Sequence, residues 1–167
     1  MWKNIIQKFD NYPSQQKVAK KLLKLGLKVG ENNKIYCNDV EINISSLAKS
    51  INTDRRVVIS TINNILKDDE LKRIFTNIKP SGPVLSNISS ELGLGVIEIE
   101  GNGEKAGILN SVTELLVEQN ISIRQAYAGD PDLSNTPHMT IITDGPIDGK
   151  IIPSLLKIDG VTRVSIY

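Results

Sequence analysis

Two hydrophobic rhythms divide this chain. In the first half, apolar residues recur every three or four positions: Trp2, Ile5, Ile6 and Phe9, then Val18, Leu22 and Leu25 behind Pro13-Ser14. This spacing predicts two helices, the second ended by Gly26. Ile35-Tyr36-Cys37 and Val40-Glu41-Ile42 flank Asn38-Asp39 and predict a short hairpin. From Ile44 to Leu66 the helical spacing returns as two helices around a tight turn. Ser45 or Ser46 is expected to cap the first, in which Leu47, Ala48 and Ile51 are apolar, and Thr53 or Asp54 the second. At about 100° per residue, Val58, Ile62, Ile65 and Leu66 fall on one side of that second helix. Arg56, Ser60, Asn63 and Lys67 fall on the other.

Lys79-Pro80-Ser81-Gly82-Pro83 interrupts both kinds of regular structure and marks the boundary. Val84, Leu85, Ile88 and Leu92 then predict a short connecting helix stopped by Gly93. Beyond it the rhythm begins with alternation, in Val96-Ile97-Glu98-Ile99-Glu100. The rest reads as a helix from about Ala106 to Glu118 with Ile108, Leu109, Val112, Leu115 and Leu116 inward, and a strand over 121–127. A polar loop over 129–137, a strand over 138–143, a helix over about 149–156 and a strand over 161–167 follow. That order is the split β-α-β arrangement of ferredoxin-like domains.

Charge sharpens the division. Residues 1–80 hold 15 Lys+Arg against 8 Asp+Glu, a net +7, and residues 81–167 hold 5 against 11, a net −6. A basic half of this kind points to a polyanion. The outward row of guanidinium, hydroxyl, amide and ammonium groups is of the types that reach phosphates and base edges in a major groove. The segment 44–66 resembles a winged helix-turn-helix, with Leu71 to Lys79 expected as a basic wing strand. Arg56, Ser60 and Asn63 would read or position on double-stranded DNA, with Lys49, Arg55 and Lys67 on phosphates. Asp68-Asp69-Glu70 must face away from DNA, because carboxylates repel phosphates.

Other chemistry finds little support. Cys37 is the single cysteine, which excludes an internal disulfide and offers no metal cluster. His138 and Cys37 lack sequence partners for catalysis, and Asp130 and Asp132 alone specify no metal site. The expectation is a non-enzyme without cofactor or metal. Charges within the N-terminal apolar spacing exclude a signal peptide, and no apolar run spans a bilayer, so a cytoplasmic location is expected. Gly101-Asn102-Gly103-Glu104-Lys105-Ala106 matches a dinucleotide fingerprint, yet only 61 residues follow Ala106, too few for a doubly wound domain.

Residues 95–167 resemble an ACT domain, the βαββαβ module that binds amino acids and regulates their metabolism. The resemblance rests on Asn102 to Leu109, Val117 to Ile123, and Ile158-Asp159-Gly160-Val161. The family's usual proline is Ala106 here, and the asparagine that opens its second strand is Ser122. The resemblance implies pairing through the sheets and an amino acid held by Asn102, Glu104, Lys105, Ala106, Gly107 and Ile108 with Ser122 and Ile123 of a neighbour. It fits a pure dimerisation module equally well.

Together these readings give an α+β chain in three parts: a winged helix-turn-helix over 1–80, a linker and connecting helix over 81–94, and an ACT domain over 95–167. The layout is similar to predicted amino-acid-metabolism regulators that carry an ACT domain: a cytoplasmic homodimer that binds DNA in response to an amino acid. The alternative is a non-catalytic subunit that docks on a biosynthetic enzyme and senses its end product. An Lrp-like feast/famine regulator shares the general layout, but the extra helix and hairpin ahead of residue 44 set this chain apart.

Overall fold

The computed structural model describes residues 2–133 and 138–167, and the chain divides into two compact units, Met1–Gly82 and Pro83–Tyr167. The first unit runs α1 (Trp2–Gln7), α2 (Pro13–Leu25), β1 (Lys28–Val29), β2 (Ile35–Cys37), β3 (Val40–Glu41), α3 (Ile44–Ser50), α4 (Arg55–Lys67) and α5 (Asp69–Phe75).

Proline at the first position of α2 supplies a φ already suited to a helix. Gly26 closes it in the left-handed region at φ 63°. A Cβ there would lie 2.6 Å from the Pro80 Cα, so only glycine lets the residue-80 backbone come this close. The inward face of α2 is Val18, Ala19, Leu22 and Leu23, while Leu25, expected in the apolar stripe, is exposed. Lys17, Lys20, Lys21 and Lys24 occupy the opposite face; like charges at such spacing each cost a helix about 0.2–0.5 kcal/mol. β1 went unforeseen because two residues carry no period. It pairs with β2, and β2 with β3 across the expected Asn38-Asp39 turn, where Asn38 takes φ 55°.

The expected wing strand over 71–79 is not formed: most of it is α5, a helix. The reason is local. The Asp68 carboxylate accepts the Glu70 and Leu71 backbone N–H groups at 3.0 Å each, acids fill the first turn, and Lys72 and Arg73 fill the last. Leu71 and Phe75, four residues apart, then both turn into the core. Asn43 caps α3 in place of the expected Ser45 or Ser46, whose N–H groups it accepts at 2.8 and 3.3 Å.

In the second unit, residues 84–92 form two 3-10 turns, Ser86–Ile88 and Ser90–Leu92, where a connecting helix was expected. Serines and an asparagine compete there for backbone partners, as when Ser89 Oγ donates to the Ser86 carbonyl at 2.9 Å. Val84, Ile88 and Leu92 are left exposed. The main body runs β4 (Gly95–Gly101), α6 (Ile108–Glu118), β5 (Ile123–Ala128), β6 (His138–Thr143), α7 (Ile152–Leu156) after a 3-10 turn, and β7 (Val161–Ile166). The four strands lie in the order β5-β6-β4-β7, every neighbouring pair antiparallel. Ile97 and Ile99 of β4, Met139 and Ile141 of β6, Val112 and Leu116 of α6, and Ile151 and Leu155 make the core. Leu109, expected inward, is half exposed, and α6 begins two residues later than expected.

Asp68 also carries an ion pair with Lys8, 2.8 Å away. That hydrogen bond, helped by the Leu71 N–H, holds its carboxyl below the ordinary carboxylate value. A depressed pKa means the stabilisation is complete above the unfolded value and is lost as pH falls through the folded one. Asp68→Ala is expected to destabilise the chain by about 0.5–2 kcal/mol near neutrality through loss of the cap. Urea titrations should show the difference from wild type shrinking as the solution is acidified below the carboxylate range.

Candidate nucleic-acid interface

Burial of Val58, Thr61, Ile62 and Ile65 sets the rotation of α4. Thr61, unforeseen as an inward residue, satisfies its hydroxyl by donating to the Val57 carbonyl at 2.7 Å, and Leu66 is displaced to a half-buried position. Asp54 caps the helix by accepting the Arg56 N–H at 2.7 Å. The turn from α3 needs one left-handed residue, and Asn52 supplies it at φ 51°. Its frame is closed by the Thr53 N–H donating to the Ala48 carbonyl at 3.0 Å.

This geometry leaves Arg55, Arg56, Asn63 and Lys67 exposed on α4 and Lys49 exposed at the end of α3. Among the described residues none of the four cations holds an ion pair. Ser60 differs. It is half-buried and accepts a hydrogen bond from Gln15 Nε2 of α2 at 3.0 Å, while Asn64 Nδ2 donates to Gln15 Oε1 at 2.7 Å. Gln15 therefore fastens α2 to α4 through both ends of its amide, and the expected base-reading role of Ser60 is in competition with this bond. Sequence separations of 45 and 49 residues leave no periodic signal for such a pair.

The acidic triplet after α4 is handled within the unit. Lys8 reaches Asp68 at 2.8 Å and Glu70 at 2.7 Å, so two of the three carboxylates have a cation beside them. An open depression of about 390 Å³ adjoins this corner, lined by Lys8, Phe9, Tyr12, Asn64, Lys67, Asp68 and Leu71.

In the second unit, the loop from Asn102 to Gly107 and the close at Asp159-Gly160 meet. The Asn102 N–H donates to the Gly160 carbonyl at 2.8 Å, and Lys105 pairs with Asp159. Asn102 Oδ1 accepts the Glu104 N–H at 3.1 Å, and Gly107 opens α6 at φ 95° without a side-chain cap. Ile108 is half-buried against the core. Ser122 and Ile123 are elsewhere. Ile123 is opposite Thr143, which is opposite Gly95 at the start of β4, whereas the loop follows the end of β4. A strand length of about 20 Å separates the two groups within one chain.

No protein-family model matches the chain, and no curated protein is significantly similar to it. Among the solved structures that match it are two transcriptional regulators. One is an AsnC family transcriptional regulator from Agrobacterium tumefaciens, 11% identical over 92% of this chain and 86% of that one, with a TM-score of 0.30. The other is a transcriptional regulatory protein of the AsnC family from Pyrococcus furiosus, 10% identical over 92% and 85%, with a TM-score of 0.28. Likeness at this level decides neither fold nor function.

Among the described residues no group of three His, Cys, Asp or Glu side chains gathers to hold a metal ion. None of the described helices is long and apolar enough to cross a membrane. The expected loop over 129–137 is described to Leu133; residues 134–137 lie outside the described residues.

Removing the Gln15 amide strips partners from Ser60 and Asn64 together. Gln15→Ala is expected to lower stability by about 1–3 kcal/mol, the sum of two part-buried hydrogen bonds. Gln15→Glu, which can accept from Asn64 but cannot donate to Ser60, should fall between the two in chemical denaturation.

Proposed function

We propose that this chain is an amino-acid-responsive, DNA-binding transcriptional regulator of amino acid metabolism. The observation that carries the reading is the solvent-facing row on α4, Arg56, Asn63 and Lys67, with Arg55 and Lys49 beside it, in a unit of net positive charge. Cations held by a rigid helix and left without carboxylate partners suit phosphate, and Asn63 suits an adenine edge. Asn52 in the turn and the Asp54 cap fix how α3 leads into α4, as a reading helix requires.

The second unit is read as a ferredoxin-like ACT domain that senses the amino acid and joins two chains. Gly107 leaves the backbone open at the start of α6, and Lys105 of the same loop is held in an ion pair with Asp159. The remaining ligand groups, Ser122 and Ile123, would come from a second copy, because a single chain holds them a strand length away. Binding between copies would alter how two basic units are presented to paired half-sites.

Arg55→Ala/Arg56→Ala is expected to weaken binding to duplex DNA and to reduce the slope of log affinity against log salt by about 2. Fluorescence anisotropy over a salt series measures both. Equal binding by wild type and variant at low salt removes the DNA reading and leaves docking on a partner enzyme as the function of the basic unit. In a thermal-shift panel, the matching amino acid at about 100 times its Kd should add about 2.7 kcal/mol of stability. A panel without a selective shift leaves the second unit a dimerisation module.

A further inference from the structure

We infer that Lys17, Lys20, Lys21 and Lys24 on α2 form a second phosphate-binding surface for duplex DNA, separate from the α4 row. The inference rests on the reading of this unit as DNA-binding. The four lysines stand at i, i+3, i+4 and i+7, so they share one face over two turns. The opposite face is fixed inside by Val18, Ala19, Leu22 and Leu23.

Nothing in the unit neutralises this ridge. α2 contains no acidic residue, and among the described residues none of the four lysines holds an ion pair. Elsewhere the unit pairs Lys8 with Asp68 and Glu70, and Lys34 with Glu41, while Lys28, Lys72, Arg73 and Lys79 hold no ion pair among the described residues and do not share one helix face. Only Lys24, in the last turn, gains from the helix dipole; the other three repel their neighbours without that return. A helix charged in this way is poorly arranged for stability alone and well arranged for a polyanion.

Lysine suits a target read without regard to sequence. Its ammonium is a point charge on a flexible stem, able to follow phosphates without the fixed fork of arginine. Duplex DNA offers one negative charge per about 1.7 Å of axis, so a two-turn ridge meets phosphate in any register. The acidic unit of a second copy is the competing occupant, and the sedimentation arm of the test separates it from DNA. Gln15 joins the inward side of α2 to α4, so the ridge faces away from α4. It therefore meets a flank of duplex beyond the segment α4 contacts, or a second duplex segment.

The test is a salt series of fluorescence-anisotropy titrations with the full chain, Lys17→Gln/Lys20→Gln/Lys21→Gln/Lys24→Gln, and Arg55→Ala/Arg56→Ala. Duplexes of about one and about four helical turns are compared. Glutamine keeps the helix propensity of lysine, so the melting temperature of the ridge variant should not fall. On the long duplex its salt slope should drop by about 3–4, with discrimination between sequences unchanged. No change on the short duplex places the contact beyond the α4 footprint and supports the surface; equal loss on both places it within that footprint and overturns a separate surface. An unchanged slope on the long duplex overturns the inference while wild-type binding keeps the regulator reading. Loss of self-association in sedimentation, with the slope unchanged, assigns the ridge to a second copy and overturns it as well. A wild-type chain that binds neither duplex removes both readings.

Discussion

Everything proposed for the basic unit depends on the rotation of one helix. Val58, Ile62 and Ile65 are fully buried, and the helical repeat then leaves Arg56, Asn63 and Lys67 no direction but outward. The constraint is apolar and holds at any salt, whereas the attraction it directs is ionic and weakens with salt. Rotation alone would let α4 slide along its axis. The Gln15 amide opposes that by engaging Ser60 and Asn64, one turn apart, from a neighbouring helix. The charged row is thus presented by a packed interior and registered by a polar pair.

Charge in the first unit is organised as well as abundant. Carboxylates that would repel a polyanion near the end of α4 are drawn into a cap and an ion-pair cluster with Lys8. Among the described residues the cations of α2 and α4, by contrast, hold no ion pair.

The second unit shows the opposite economy. Its antiparallel sheet buries an aliphatic core under α6 and α7, and four of its five cations, Lys105, Arg124, Lys150 and Arg163, are matched by nearby carboxylates. The loop from Asn102 to Gly107 is pinned to Gly160 by a backbone hydrogen bond, and a Cβ at Gly160 would press on Lys105 and Ile108 at 2.8 and 3.1 Å. Glycine is needed there both for space and for its φ of 94°. Two segments far apart in sequence thereby form one loop cluster at the end of β4.

Periodicity by itself determined most of the helices and strands and the inward face of α4, and composition determined the two signs of charge. Each is a property of neighbours within about two turns or of summed composition, so it can be read along the chain. The tertiary structure alone decided what depends on a partner distant in sequence. Leu71 to Phe75 became a helix because Asp68 could cap it and both apolar ends could reach the core, although the same residues also fit a strand. Ser60 turned from a free reading group into a partner of Gln15 across 45 residues. The placement of the Asn102–Gly107 loop and of Ile123 toward opposite ends of β4 was set by strand register, which no local pattern encodes.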